Sequence, residues 1–373
     1  MDRTRVAELR MKLLNQGLFN RMAEWLLKHC AMEEKGKNVF LSPLSVLMLL
    51  SVAADATAGR TREEIFSALG QPDAGKALGA LQEILCAEGV MSSANAVCLR
   101  QDIASSLKKE FTEMLRQVYG GEVFASEDMA RDVNAWVTEK TKGMIREAAP
   151  ASMENILLCL VNAVAFDDRW QTPYEDYQVR DREFRNADGT VSTVNMMHGE
   201  EHTYIDQGPF KGFLKNYRHG FSFLGLLPKE EGVEALEDAV RRISFSRLLH
   251  RPADKKVYTL LPEFTFDYTR ELTPLLESMG IDRLFTFDAD FSPVLEQDRR
   301  IKVGSVMHKA FIDVNREGTR AAAVTAMWAE EEGCGPVEEY EEVFLDRPFV
   351  FAIIHNRTGL PVFTGIVRRL ESK

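Results

Sequence analysis

Residues 317–354 read EGTRAAAVTAMWAEEEGCGPVEEYEEVFLDRPFVFAII. The closing part, VFLDRPFVFAII, has the β-branched and aromatic density of a buried strand. The part before it is unusual. From Gly318 to Thr325 nearly every side chain is small, in a chain that elsewhere uses large apolar residues freely. Three glutamates follow, then Gly333-Cys334-Gly335-Pro336, then Glu338, Glu339, Glu341 and Glu342. A run of about thirty residues is too long for an ordinary connection, so its small-then-acidic composition needs a physical reason.

The whole chain has 373 residues, 45% apolar and 28% charged, enough to bury a large core. Lys and Arg number 46 against 57 Asp and Glu, a net charge of −11. That balance argues against nucleic acid and heparin as partners, because both need a basic footprint. The longest apolar stretch, LSVLMLLSVAADA, is interrupted by Ser and Asp and is too short to cross a bilayer. The first thirty residues read as a charged amphipathic helix without the apolar core of a secretion signal. Five cysteines, Cys30, Cys86, Cys98, Cys159 and Cys334, include no C-x-x-C pair and fit a reducing compartment better than a disulfide framework.

Helical patterns dominate the first 150 residues. Ser42 can cap a helix whose first residue is Pro43. That helix is apolar on all sides, which predicts burial. The helix REEIFSAL is ended by Gly70, and DVNAWVTEKTKGMI is a further amphipathic helix. From about residue 156 strands take over: ILLCLVNAVAF, buried on both faces, then FSFLGLLP, VYTLLPEFTFDY, SVMHKAFIDVN, EEVFLDRPFVFAII and LPVFTGIVRRL. TRELTPLLESMGI returns to helix. Helices first and strands later, without regular alternation, predict an α+β fold with large mixed or antiparallel sheets.

Candidate chemistry is sparse. His198 to His202, HGEEH, matches the H-x-x-E-H pattern of some zinc peptidases. That chemistry needs both histidines one turn apart on a helix, whereas Gly199 and the flanks predict strand or turn, with the motif at a surface turn. On a strand the two would lie roughly 13 Å apart, too far to share an ion. No Ser-His-Asp set and no phosphate-binding glycine loop is present. Cys334 is flanked by glycines, but its charged neighbours are glutamates, which do not lower a thiol pKa. The sequence therefore does not read as an enzyme, and it predicts no metal and no cofactor.

The opening stretch, with its GTRAAAVT and VFLDRPFVFAI, resembles the hinge, reactive loop and C-terminal signature of the serpins. NVFLSPLSV is similar to the start of that family's second helix. LVNAVAFDDRW is similar to its central-strand motif, SVMHKAFIDVNREGT to the strand entering the loop, and LLPEFTF, LESMGI and ADFSPV follow in the family's order. The resemblance runs from about Asn38 to Arg368. It implies one domain over residues 1–373, a monomer with three β-sheets, about eight or nine helices and an exposed reactive-centre loop at about residues 316–343.

Within that resemblance the small residues make sense, because the loop must pass between two strands and become a new one. Counting alternately, Thr319, Ala321, Ala323, Thr325, Met327 and Ala329 face inward, all small or apolar. Arg320, Ala322, Val324, Ala326, Trp328 and Glu330 face outward. About twelve new ladder positions at roughly 1 kcal/mol each give a drive of order 10 kcal/mol. The resemblance implies a serine protease as covalent partner and Gly318 to Thr325, with Arg320, Ala321, Ala322, Ala323 and Val324, as the hinge. It places the reactive bond at Glu332–Gly333, with a shift of about three residues open because the loop is long. Ser42, Ser45, Asn162 and His308 match the family's shutter, although Ser42 also reads as a helix cap and His308 as a core histidine. Trp170 matches the breach, where insertion begins. Arg316 and Glu263 stand where the family usually has an acid and a base, so the expectation is a breach ion pair with exchanged charges. A non-inhibitory carrier or chaperone is the alternative, against which the alanine-rich hinge argues. Location is open: the family is often extracellular, while the free cysteines and the N-terminus point to the cytoplasm.

Overall fold

Helix starts and stops follow local chemistry. Ser42 Oγ accepts the amide hydrogen of Ser45 at 3.2 Å, and Pro43 opens the helix Pro43–Ala56. Most of that helix is buried, as its uniform apolarity predicts. Gly70, at φ +70°, closes the helix Gly59–Leu69 in the left-handed conformation. The computed structural model describes residues 17–372 except 71–73, 150–152, 154–155, 251, 297–299, 305 and 320–338. Among the described residues there are nine α-helices and three sheets.

The strands are β1 (Val39–Leu41), β2 (Met91–Arg100), β3 (Glu122–Ser126), β4 (Leu158–Phe166), β5 (Asp168–Arg169), β6 (Val179–Arg185), β7 (Val191–Gln207) and β8 (Phe210–Asn216). They continue with β9 (Phe221–Pro228), β10 (Ala253–Pro262), β11 (Phe264–Glu271), β12 (Met307–Asn315), β13 (Gly318–Thr319), β14 (Tyr340–Phe344), β15 (Phe349–His355) and β16 (Leu360–Val367). The chain divides into two compact units, residues up to 22, 41–165 and 267–311 in one, and 23–40, 166–266 and 312 onward in the other.

In the first unit the sheet β3-β2-β4 carries the helix Met129–Lys140 on one face. Val133, Trp136 and Val137 of the helix pack against Ala96, Cys98 and Ala163 of the sheet. In the second unit the largest sheet runs β1-β16-β15-β9-β8-β7-β10-β14, with β6 also on β7. Every residue of β15 and β16 is buried. Phe40 stacks on Phe351 and Phe363, centroids 5.7 and 5.2 Å apart. The third sheet has the order β11-β12-β13-β5.

Several expectations need correction. VYTLLPEFTFDY is two strands, β10 and β11, separated at Glu263, and EEVFLDRPFVFAII is likewise β14 and β15 broken by Asp346 to Pro348. Pro348 lacks a ladder donor, so an apolar run containing it need not be one strand. TRELTPLLESMGI is helical only over Thr273–Ser278, its first residues completing β11. HGEEH lies inside β7 rather than at a turn. The early region contains β2 and β3, whose mixed compositions show no clear alternation. Finally, β4 is not uniformly buried: Cys159 to Asn162 are half-exposed, because among the described residues only β2 pairs with it.

Candidate functional site

Gly318 and Thr319 form a short strand. After β12 the chain turns through Arg316 and Glu317, and β13 returns alongside, with Val314 opposite Thr319 and Asn315 opposite Gly318. The Asn315 side-chain oxygen accepts from the amides of Glu317 at 2.9 Å and Gly318 at 3.3 Å, fixing the turn. On its other edge β13 pairs with β5, Gly318 opposite Arg169 and Thr319 opposite Asp168. Gly318 is required there, since a Cβ would stand 2.2 Å from the Asp168 carbonyl oxygen. Thr319 is 3% exposed, and its hydroxyl lies 2.6 Å from that of Tyr217.

Around the turn sits an aromatic and ionic cluster. Trp170 is fully buried and stacks on Tyr217, centroids 4.3 Å apart. Its indole N–H donates to the Asn315 carbonyl at 2.9 Å, and its backbone N–H donates to the Glu317 carbonyl at 2.9 Å. The Tyr174 amide donates to the Arg316 carbonyl at 3.0 Å. Arg316 Nε is 3.5 Å from Glu263 Oε1, which also accepts the Arg316 backbone N–H at 3.1 Å. The other Glu263 oxygen accepts from Asn195 at 2.6 Å, and Arg316 makes a further ion pair with the exposed Asp176. The structure thus brings Trp170, Arg316, Glu263, Gly318 and Thr319 together.

Two participants, Tyr217 and Lys215, stand outside every motif of the sequence, while Asp168 lies unremarked within LVNAVAFDDRW and Glu201 is the glutamate of the HGEEH match. Asp168, 3% exposed, accepts from the backbone N–H of Arg169 at 2.8 Å and from the ring and backbone of His219 at 2.8 and 3.1 Å. Tyr217 is the partner of Thr319. Lys215 is 5% exposed and pairs with Glu201 at 2.8 Å, its ammonium 4.2 Å from the Tyr174 ring centroid and 5.4 Å from that of Trp170. Burial holds the Glu201 carboxyl above the usual carboxylate range, with the Lys215 charge opposing that shift. A lysine and a glutamate read alone predict surface, and only their pairing permits burial.

In the first unit, β4 and β12 share no ladder among the described residues. A cavity of about 290 Å³ is lined by Leu158 to Ala163 on one side and by Val306 to Lys309 on another. Ser45, Asn162 and His308 all line it. His308 is 4% exposed, and its Nε2 accepts the Ser42 amide hydrogen at 3.3 Å. Asn162 donates to the Asn95 side chain at 2.8 Å and to the Ala94 carbonyl at 3.2 Å, while its own oxygen is buried and makes no hydrogen bond among the described residues. Cys159 also lines the cavity. Burial pushes the Cys159 and Cys98 thiols up to about 12 and that of Cys86 to about 11, so none is activated as a nucleophile. Arg320, Ala321, Ala322, Ala323, Val324, Thr325, Glu332, Gly333 and Cys334 lie outside the described residues.

Comparisons with known proteins point one way. The family model described as "Serpin (serine protease inhibitor)" matches residues 18–370. Serpin-ZXA of Oryza sativa subsp. japonica is 30% identical over 361 residues, 89% of this chain and 90% of its own length. Iripin-2 of Ixodes ricinus is 30% identical over 357 residues, 90% of this chain and 88% of its own. Among solved structures, the thermophilic serpin tengpin in its native state superposes with a TM-score of 0.83 at 28% identity, covering 95% of this chain and 94% of that one.

Proposed function

The chain belongs to the serpin family, and on that premise we propose that it inhibits a serine endopeptidase as a suicide substrate. The protease serine attacks the carbonyl carbon of Glu332, the Gly333 amine departs, and the chain is left joined to the protease as an ester. The segment after Thr319 then extends β13 as a new strand between β4 and β12, carrying the protease with it and distorting its active site before water can cleave the ester. The inhibitor supplies strain rather than catalytic groups. In this reading Trp170, Arg316 and Glu263 form the breach, and Ser42, Ser45, Asn162 and His308 form the shutter.

The observation that carries the reading is the position of Thr319. It is already buried at 3% exposure in a strand paired on both edges, and the small residues Ala321, Ala323 and Thr325 follow it at alternate positions in the sequence. The edge of β4 that has no ladder among the described residues, and the cavity beside it, further support the reading. The test is incubation with a panel of serine proteases, followed by denaturing electrophoresis and mass spectrometry. The expected result is a complex that survives SDS together with a fragment beginning at Gly333 or within about three residues of it. Cleavage of the loop by every active protease without any SDS-stable complex would overturn the proposal.

A further inference from the structure

We propose that the open face formed by β6, β7, β10 and β14 is a second docking surface for the protease that attacks the loop, an inference resting on the function proposed above. Strand register defines this face. His198 stands opposite Leu260 and Leu260 opposite Phe344, so an imidazole, an aliphatic and an aromatic side chain share the middle row. Tyr258 lies opposite Glu200 on one side and Glu342 on the other. The face is concave, enclosing an open groove of about 1240 Å³.

Three observations make it a surface built for a partner. First, of the six exposed large hydrophobic residues among those described, three line this groove: Tyr177 at 69%, Tyr258 at 38% and Tyr340 at 51% exposure. Tyrosine is enriched at interface cores because it presents a large area at low entropic cost. Tyr258 and Tyr340 already pack edge to face, centroids 4.7 Å apart, so the pair is ordered before a partner arrives. Second, the charges at the β14 rim are unequal. Glu341 is taken by Lys255 at 2.9 Å, whereas the Glu342 carboxylate is exposed and has no ion-pair partner among the described residues. That rim presents a negative charge to a basic patch. Third, Tyr340 on the groove's edge stands only eight positions after Glu332 in the sequence.

The third point selects the occupant. A protease engaged at Glu332–Gly333 is linked to Tyr340 by so few residues that the extended chain spans at most roughly 28 Å. A standard interface covers about 800 Å² per partner, more than one extended loop offers, so the protease must rest on neighbouring surface. The groove is the neighbouring face that carries aromatic anchors. The partner is thus a serine protease with a cationic patch beside its active-site cleft.

The test uses the full chain and the variants Tyr258→Ala and Glu342→Lys. Two rates are measured with the identified protease: formation of the covalent complex, and kcat/KM for cutting the loop, which reads docking whether or not trapping follows. Both should fall about tenfold in each variant, the Glu342→Lys effect shrinking at high salt. The number of inhibitor molecules consumed per protease, and hydrolysis of a free peptide of loop sequence, should not change. Rates within twofold of the parent overturn the docking surface while leaving the inhibitory function intact. Cutting without trapping overturns the function while the kcat/KM comparison still decides the docking surface. If the variants alter self-association in sedimentation but not the protease rates, the occupant is a second copy of the chain and the proposal fails. Glu342→Lys, on an exposed residue, keeps the test valid if Tyr258→Ala folds poorly.

Discussion

Exchanging the charges of Arg316 and Glu263, singly and together, measures what holds the turn at residues 316–317. Both side chains are partly exposed, 36% and 20%, so each charge contact is worth about 0.5 kcal/mol rather than a buried-pair value. Arg316→Glu turns two attractions, to Glu263 and to Asp176, into repulsions and should cost about 2 kcal/mol. Glu263→Lys reverses one attraction and also removes the acceptor of two hydrogen bonds, from the Arg316 amide and from Asn195. It should cost about 3 kcal/mol, taking about 1 kcal/mol for each hydrogen bond. The double variant regains the ion pair but not the two hydrogen bonds, and its new carboxylate at position 316 still faces Asp176. It should therefore stay about 3 kcal/mol below the parent, whereas additivity would give about 5. Full restoration, the simplest expectation for a swapped pair, is not what this geometry supports. Denaturant unfolding of the four intact proteins gives the coupling directly. The expected value is about 2 kcal/mol, and a coupling below about 0.5 would refute the reasoning.

Three further outcomes are expected. Thr319→Arg puts a guanidinium where only 3% of the residue is exposed and should turn the inhibitor into a substrate, seen as loop cleavage without complex, while persistent trapping would show the inward register to be wrong. Proteolysis at the loop should raise the melting temperature sharply, because about twelve new ladder positions contribute on the order of 10 kcal/mol; an unchanged melting curve would remove the insertion mechanism. His355 is 7% exposed, and burial lowers its pKa from 6.5 to about 4. The unfolded chain therefore binds its proton first, and stability is lost as pH falls from about 6.5 to about 4, by on the order of 3 kcal/mol; His355→Gln should flatten that part of the stability profile, and an unaltered slope would assign it to other groups.

Local signals were readable in the sequence where the deciding chemistry is local. Ser42 with Pro43 and Gly70 act through their immediate neighbours, and the helix boundaries follow. Strands such as β9 and β16, apolar but for Ser222 and Thr364, needed no tertiary information. The divisions at Glu263 and at Asp346 to Pro348 were easy to read through because each is a short charged, proline-bearing interruption of an otherwise apolar run, and the sheet partners decide where a run changes direction. The partial exposure of Cys159 to Asn162 was hidden for a related reason, since burial of a strand depends on its neighbours, and among the described residues β4 has only β2. Trp170 and Arg316, which meet around the turn at residues 316–317, were singled out through motifs spanning many residues. Tyr217 is separated from Thr319 by 102 positions and from any motif altogether. Lys215 and Glu201 were opaque because their burial depends on each other and on two aromatic rings.

The placement of β15 and β16 has a practical corollary. Everything after Glu332 in the chain ends in these two strands, which pair with each other and lie between β1 and β9 with no residue exposed. A severed loop therefore does not produce two molecules. The C-terminal piece stays clamped in the middle of the largest sheet, so a nicked protein would elute from a sizing column as one particle and fall apart only in detergent or denaturant. Native chromatography would be blind to the cut.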